Sequence, residues 1–208
     1  AAGLIRALGR WTLQQTVRAW QALYERTGER IRLAVNVSFP EIADPWYADQ
    51  VLELLTQSGM PPRYLELELT ETAMMHDASV SLLNLRRLKN AGLHIVLDDF
   101  GTGFSSLAHL SELPLTGIKL DRSFVAPVPD NQQQLQIVTS MLELAQRLGL
   151  ETTAEGVESP ACLEVIRRSG CDRIQGYIYS QPLSLDELTT QAIAGFGVQA
   201  DFPQHSLF

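Results

Sequence analysis

Six short apolar and β-branched runs recur along this chain, at 31–37, 64–70, 94–98, 117–120, 151–154 and 173–177. Each lies beside a longer segment with helical spacing, at 4–24, 46–58, 79–90, 105–111, 132–148, 161–169 and 185–194. Strand-like runs about 20 to 35 residues apart, separated by amphipathic helices, are the pattern of βαβ units and therefore of a parallel sheet, open or closed. Several boundaries have a physical cause. Ser159-Pro160 offers an N-cap with proline at the first helical position, and Ser184 with Glu187 has the spacing of a capping box. Gly92, Gly149 and Gly170 each stand just past a helical segment, where a left-handed residue stops the helix.

Both faces of a parallel sheet are covered, so ionisable residues within its strands need an explanation. Here they gather at one end. The first run closes on Asn36 and Ser38, the second carries Glu68 and then Glu71, and the third runs from Ile95-Val96-Leu97 into Asp98-Asp99. The fourth holds Lys119 and Asp121, the fifth is followed by Glu155 and Glu158, and the sixth contains Gln175. These positions mark the C-terminal edge, where parallel barrels and open α/β sheets build their sites. A single carboxylate after a strand is more often a cap or a loop charge. Six consecutive strands behaving alike are poorly explained by capping. Taken alone, Asn36 and Ser38 read as turn or cap residues, and one of Glu66 and Glu68 reads as a solvated edge position, with Glu68 the better candidate to face inward.

The Asp98-Asp99 pair carries the sharpest chemical implication. Adjacent carboxylates at the end of an apolar strand repel each other unless a cation neutralises them. Successive residues point in different directions, so one aspartate could bridge two metal ions while its neighbour binds one. The loop that follows, Phe100-Gly101-Thr102-Gly103, lacks the full dinucleotide fingerprint and reads as a wall beside the metal site.

Composition narrows the partners. A net charge of −8 argues against a protein that holds DNA or RNA polymers by neutralising their phosphates. An anionic substrate would need positive charge from elsewhere, and metal ions are a source that also collects acidic side chains. Oxygen-rich candidates suit Mg²⁺ or Mn²⁺, and no Cys or His constellation competes. Cys162 and Cys171 have no knuckle spacing and read as reduced packing residues in a cytoplasmic setting. No run approaches the length of a membrane span and no signal peptide is evident. The chain opens Ala1-Ala2-Gly3 without an initiator methionine, which points to a fragment or a processed form. It reads as one domain over 1–197 and a loosely attached tail over 198–208.

Asn36-Val37-Ser38, Glu68-Leu69-Thr70-Glu71, Asp98-Asp99-Phe100-Gly101-Thr102-Gly103, Lys119-Leu120-Asp121, Ala154-Glu155-Gly156-Val157-Glu158 and Gln175-Gly176-Tyr177 together resemble, in order and spacing, the EAL domains, bacterial phosphodiesterases of cyclic di-GMP. The resemblance implies an α/β, TIM-like (β/α) barrel of which about six βα units are present, and a two-metal site with Mg²⁺ or Mn²⁺ that converts cyclic di-GMP to linear pGpG. It implies Asn36, Glu68 and Asp98 as ligands of one ion, with Asp98 bridging to a second held by Asp99 and Glu155. It implies Lys119 as an active-site lysine contacting the attacking water or phosphate, steadied by Asp121, with Glu155 sharing the catalytic role. Glu158 and Gln175 then line the site or support it from behind, and Glu71 and Thr102 brace the loop after Asp99. Members of this family commonly sit behind sensor or cyclase domains in signalling proteins and many act as homodimers, so both are expected of this chain. Val37 and Leu120 are apolar swaps within the family pattern, and Phe104 stands where tyrosine is frequent. The Glu-Ala-Leu signature itself, whose glutamate ligates a metal, is not among these residues. Its absence motivates an alternative of another class, a catalytically silent receptor for cyclic di-GMP or a protein partner.

Overall fold

The computed structural model describes residues 2–70, 79–103, 110 and 112–194. The chain opens with a long helix, α1 (Ala2–Thr27), followed by β1 (Leu33–Asn36), a one-turn helix α2 (Phe39–Ile42), and α3 (Tyr47–Ser58). Then come β2 (Leu65–Thr70), α4 (Ser79–Asn90), β3 (His94–Phe100) and β4 (Gly117–Leu120). The remainder is α5 (Arg122–Val125), α6 (Gln132–Arg147), β5 (Glu151–Ala154), α7 (Pro160–Arg168), β6 (Arg173–Ile174) and α8 (Leu185–Ala194). The six strands form one parallel sheet in sequence order. This is the expected α/β architecture with six strands of a TIM-like barrel.

Period-two patterning divides each strand between two environments. In β2, Leu65, Leu67 and Leu69 are fully buried under the helices, while Glu66 and Glu68 turn to the concave side and are buried there too. Glu66 is therefore no solvated edge residue. Ile95, Leu97, Ile118 and Leu120 continue the apolar layer, joined by Leu13 and Val17 of α1 and Leu85 and Leu88 of α4. Burying one such side chain stabilises the fold by about 1.5–3 kcal/mol. Trp20 fixes α1 more specifically: its ring stacks on Tyr24 and Tyr64, and its Nε1 donates to the Ile31 carbonyl at 3.0 Å.

Charges at the start of the strands show that the sheet is curled. Arg32, just before β1, donates to Glu66 at 3.1 Å and to Glu151 at the start of β5 at 2.8 Å. Arg173 of β6 reaches back to Glu66 of β2 at 3.3 Å and pairs with Glu151 at 2.9 Å. Four inter-strand steps in a flat sheet would hold β2 and β6 about 19 Å apart. Contact between them requires the sheet to curl into a partial ring, and α8 packs on α1.

The anticipated caps and stops form. Ser159 accepts from Cys162 N–H, Ser184 and Glu187 bond reciprocally, and Gly149 and Gly170 adopt left-handed φ of 69° and 82°. The sixth strand is shorter than its sequence suggested. Gly176 lies against the Val157 backbone where a Cβ has no room, and Val157 bonds to Gln175 and Ile178, so these backbone groups leave the ladder. The helix expected at 105–111, apart from residue 110, and the tail at 198–208 lie outside the described residues. Among the described residues, no helix is long and apolar enough to cross a membrane.

Candidate active site

At the C-terminal end of the ring, Lys119 organises the predicted residues. It projects from β4 to the concave side with its side chain only 5% exposed. Its Nζ lies 2.8 Å from Glu68 Oε1, 3.3 Å from Asp98 Oδ1 and 2.5 Å from Glu155 Oε1. Three strands and the turn after β5 thus converge on one ammonium. Burial works to lower the Lys119 pKa, but hydrogen bonds to Glu155 and Glu68 outweigh it and raise the pKa above the ordinary lysine value. Desolvation raises Glu68 and Glu155 against the opposing pull of Lys119, and the neighbouring Asp98 charge raises both further.

The aspartate pair departs from what a regular strand would do. The β3–β4 register shifts between Leu97 and Phe100, and Asp99 has a left-handed φ of 55°. Aspartate tolerates that conformation better than most side chains, and Asp98 Oδ1 accepts from Asp99 N–H at 3.0 Å across the kink. A bulge of this kind re-aims side chains. Instead of diverging as alternate strand residues, Asp98 and Asp99 place carboxylate oxygens within 4.8 Å of each other and of Glu155. Gly101 follows at φ +98°, where a Cβ would press on Phe124 and Met141. Thr102 closes the turn, its N–H and Oγ1 bonding the Asp99 carbonyl at 3.2 and 2.9 Å.

The remaining predicted residues are distributed less tightly. Asn36 stands opposite Glu68 in the β1–β2 register and is exposed. Gln175 lines the concave interior together with Glu68 and Lys119. Asp121 caps α5, where its Oδ1 accepts from both N–H and Oγ of Ser123, and the Ser123 hydroxyl holds its carboxyl below the usual range. Glu158 pairs with Arg122 at 3.1 Å near the rim. Glu71 and Phe104 lie outside the described residues.

Reasoning from the C-terminal strand ends missed a second cluster, Arg32, Glu66, His94, Glu151 and Arg173 at the opposite end. The signal was present: an ionisable residue also stands at or next to the first residue of five of the six strands. A ligand atom from each of Glu66, His94 and Glu151 falls within 4.8 Å of the others. Two arginines already neutralise the two carboxylates there. At the C-terminal end, among the described residues, one lysine is paired with three acids, and Asp99 lies beside two of them. That imbalance makes the Asp98, Asp99 and Glu155 group, with Glu68 beside it, the donor set chemically suited to hard divalent ions.

Comparison with known proteins places this geometry. The EAL domain profile matches residues 1–182. The chain is 39% identical over 188 residues to the cyclic di-GMP phosphodiesterase NbdA of Pseudomonas aeruginosa, covering 90% of this chain and 24% of that protein. It is 35% identical over 186 residues to the bifunctional diguanylate cyclase/cyclic di-GMP phosphodiesterase MucR of the same organism, covering 89% of this chain and 27% of MucR. The chain thus spans about a quarter of the length of these relatives. The solved PaMucR phosphodiesterase, in complex with c-di-GMP, superposes with a TM-score of 0.82 at 35% identity, over 89% of this chain and 75% of that one. The EAL domain of Mycobacterium smegmatis DcpA superposes with a TM-score of 0.85 at 34% identity, over 90% and 85% of the respective chains. With the profile spanning most of its length and a curled parallel sheet that superposes on solved EAL domains, this chain belongs to the EAL domain family.

Proposed function

We propose that this chain hydrolyses cyclic di-GMP to linear pGpG with the help of two Mg²⁺ or Mn²⁺ ions. The observation that carries the reading is the convergence of Asp98, Asp99 and Glu155 oxygens within 4.8 Å, joined through Lys119 to Glu68. Relatives named as cyclic di-GMP phosphodiesterases supply the substrate class. Asn36, Glu68 and Asp98 would hold one ion, and Asp98, Asp99 and Glu155 the other. Bound ions would activate a water and stabilise charge on the attacking and leaving oxygens of an in-line displacement.

The chain's own groups account for the rest of the chemistry. Lys119 Nζ, tethered by Glu68 and Glu155, is a fixed positive charge at the site floor that orients a phosphate oxygen or the nucleophile. Its raised pKa keeps it charged throughout the neutral range. Glu155, whose carboxyl like that of Glu68 is raised by desolvation, is the carboxylate we assign to receive a proton as the nucleophile forms. Gln175 and Glu158 would contact or frame the substrate, Asp121 holds the backbone after Lys119 by capping α5, and Thr102 braces the Asp99 turn, a role the family resemblance also assigns to Glu71.

The proposed domain is 1–197 with 198–208 as a tail, and it would act in the cytoplasm as a homodimer; coupling to a sensor or cyclase domain is part of the same proposal, and the name of MucR, which joins a diguanylate cyclase to a cyclic di-GMP phosphodiesterase, supports the cyclase. The test is direct. Purified protein incubated with cyclic di-GMP should release pGpG with Mg²⁺ or Mn²⁺ and stop on chelation. Tight binding of cyclic di-GMP without turnover, indifferent to metal, would replace this reading with that of a silent receptor.

A further inference from the structure

Asn36 is the least secured of the residues assigned to the metal site. It ends a four-residue strand at the border of the sheet, paired among the described residues with β2 alone. Its position therefore depends on the turn that follows. One side of that turn is the β-type bond from Val37 N–H to the Glu68 carbonyl at 2.9 Å. The other is Glu41. From α2 its Oε2 accepts from Ser38 N–H at 2.9 Å and from Ser38 Oγ at 2.5 Å. The residue is only 6% exposed, and no ion pair reaches its carboxylate from a described basic side chain. Nearby Arg6 serves the Pro40 carbonyl and Asp44 instead. Ser38 and Glu41 have the capping-box arrangement at the start of α2, but a buried carboxylate without a cationic partner is costly, so its placement calls for a further reason.

The second oxygen of Glu41 supplies it. Oε1 rests on Gly9 of α1 so closely that a Cβ at position 9 would overlap the carboxylate. Alanine is the better former of a helix interior, yet glycine occupies this one, and its missing methyl group is the space that the carboxylate fills. We propose that Glu41 is a positioning residue for Asn36. Seated on Gly9, it clamps Ser38 and thereby sets the last residue of β1 against Glu68, tying the site to the N-terminal half of α1. The proposal rests on the reading of Asn36 as a metal ligand.

Mn²⁺ titration followed by electron paramagnetic resonance, run beside urea unfolding, tests it on the purified protein. Gly9→Ala should weaken Mn²⁺ binding about tenfold, the size of effect typical for groups that orient a ligand, without lowering the urea midpoint. Glu41→Ala should weaken it similarly, the double variant should be no worse than Glu41→Ala, and Glu41→Gln, which keeps an acceptor for Ser38, should retain most of the affinity. Unchanged affinity in Gly9→Ala and Glu41→Ala, additive losses in the double variant, or losses that merely follow the urea midpoint would overturn the proposal. Asn36→Ala separates the two failures. If it weakens Mn²⁺ binding while Gly9→Ala does not, only the clamp falls; if it has no effect, the ligand reading falls and the clamp with it. Turnover of cyclic di-GMP is read separately, so a protein that binds Mn²⁺ without hydrolysing this substrate would discredit the substrate and leave the clamp to be decided by affinity.

Discussion

The two ends of the curled sheet are built from the same kinds of side chain and differ in charge balance. At the N-terminal end, Arg32 and Arg173 face Glu66 and Glu151, two charges against two, with His94 alongside. At the C-terminal end, among the described residues, Lys119 faces Glu68, Asp98 and Glu155, with Asp99 crowded beside them. A balanced network satisfies itself and pins strands that are distant in sequence. An unbalanced one holds like charges together at a cost, and the cost is recovered when a cation arrives. Three neighbouring acidic or imidazole ligand atoms occur at both ends, so proximity of ligands does not distinguish a binding site from a structural bridge. Net charge does.

The largest effect that would break this contrast comes from the crowded end. Asp99→Asn should reduce cyclic di-GMP hydrolysis about a hundredfold or more, since it removes a ligand rather than a supporting group. The urea midpoint of the metal-free protein should stay level or rise, because one of the repelling carboxylates is gone and asparagine accepts the left-handed backbone at this position. A fall in stability of the metal-free protein would show that the C-terminal cluster is structural after all.

The balanced end should give the opposite pattern. Glu66→Ala removes one of the two carboxylates that Arg32 and Arg173 share, leaving both to Glu151, and should cost about 2 kcal/mol in urea unfolding, less than a fully buried pair because both arginines are partly exposed. Mn²⁺ affinity, measured by calorimetry, should hardly move. Loss of metal binding with little change in stability would reverse the roles assigned to the two ends.

The smallest effect concerns His94. Burial, then the charge of Arg32, lowers its pKa below the ordinary 6.5, and its Nδ1 is buried without a hydrogen-bond partner among the described residues. The unfolded chain therefore takes up this proton first as the pH falls. Stability from this group is complete above about pH 6.5 and is lost below it, down through the lower folded pKa. Urea midpoints between pH 7.5 and 5.5 should fall less steeply for His94→Gln than for the parent. Identical slopes would remove His94 from the network.

Much of this organisation was legible in the residues. The fourth and fifth strands and the helices at 79–90 and 185–194 begin and end where apolar period and stop signals place them, because those signals act within a few neighbouring residues. Glu68, Asp98, Asp99, Lys119 and Glu155 were identifiable because a charge within or just past an apolar strand is conspicuous wherever the strand lies in space. Asp121 was less transparent: a carboxylate two residues past Lys119 has the spacing to serve either the site or a helix cap, and its bonds go to Ser123. Glu66 looked like a surface charge until Arg32 and Arg173 arrived from other strands.

What the sequence determined by itself is the alternation of elements and the edge on which the acids lie, since periodicity and side-chain type are properties of short stretches. Tertiary structure alone decided which charges are balanced. It brought Arg173 to Glu66 across 107 residues, turned Asp98 and Asp99 to the same side through a bulge, and set Glu41 on a glycine in α1. These relations depend on how far the sheet curls and on which backbone a side chain meets, and no local pattern encodes either.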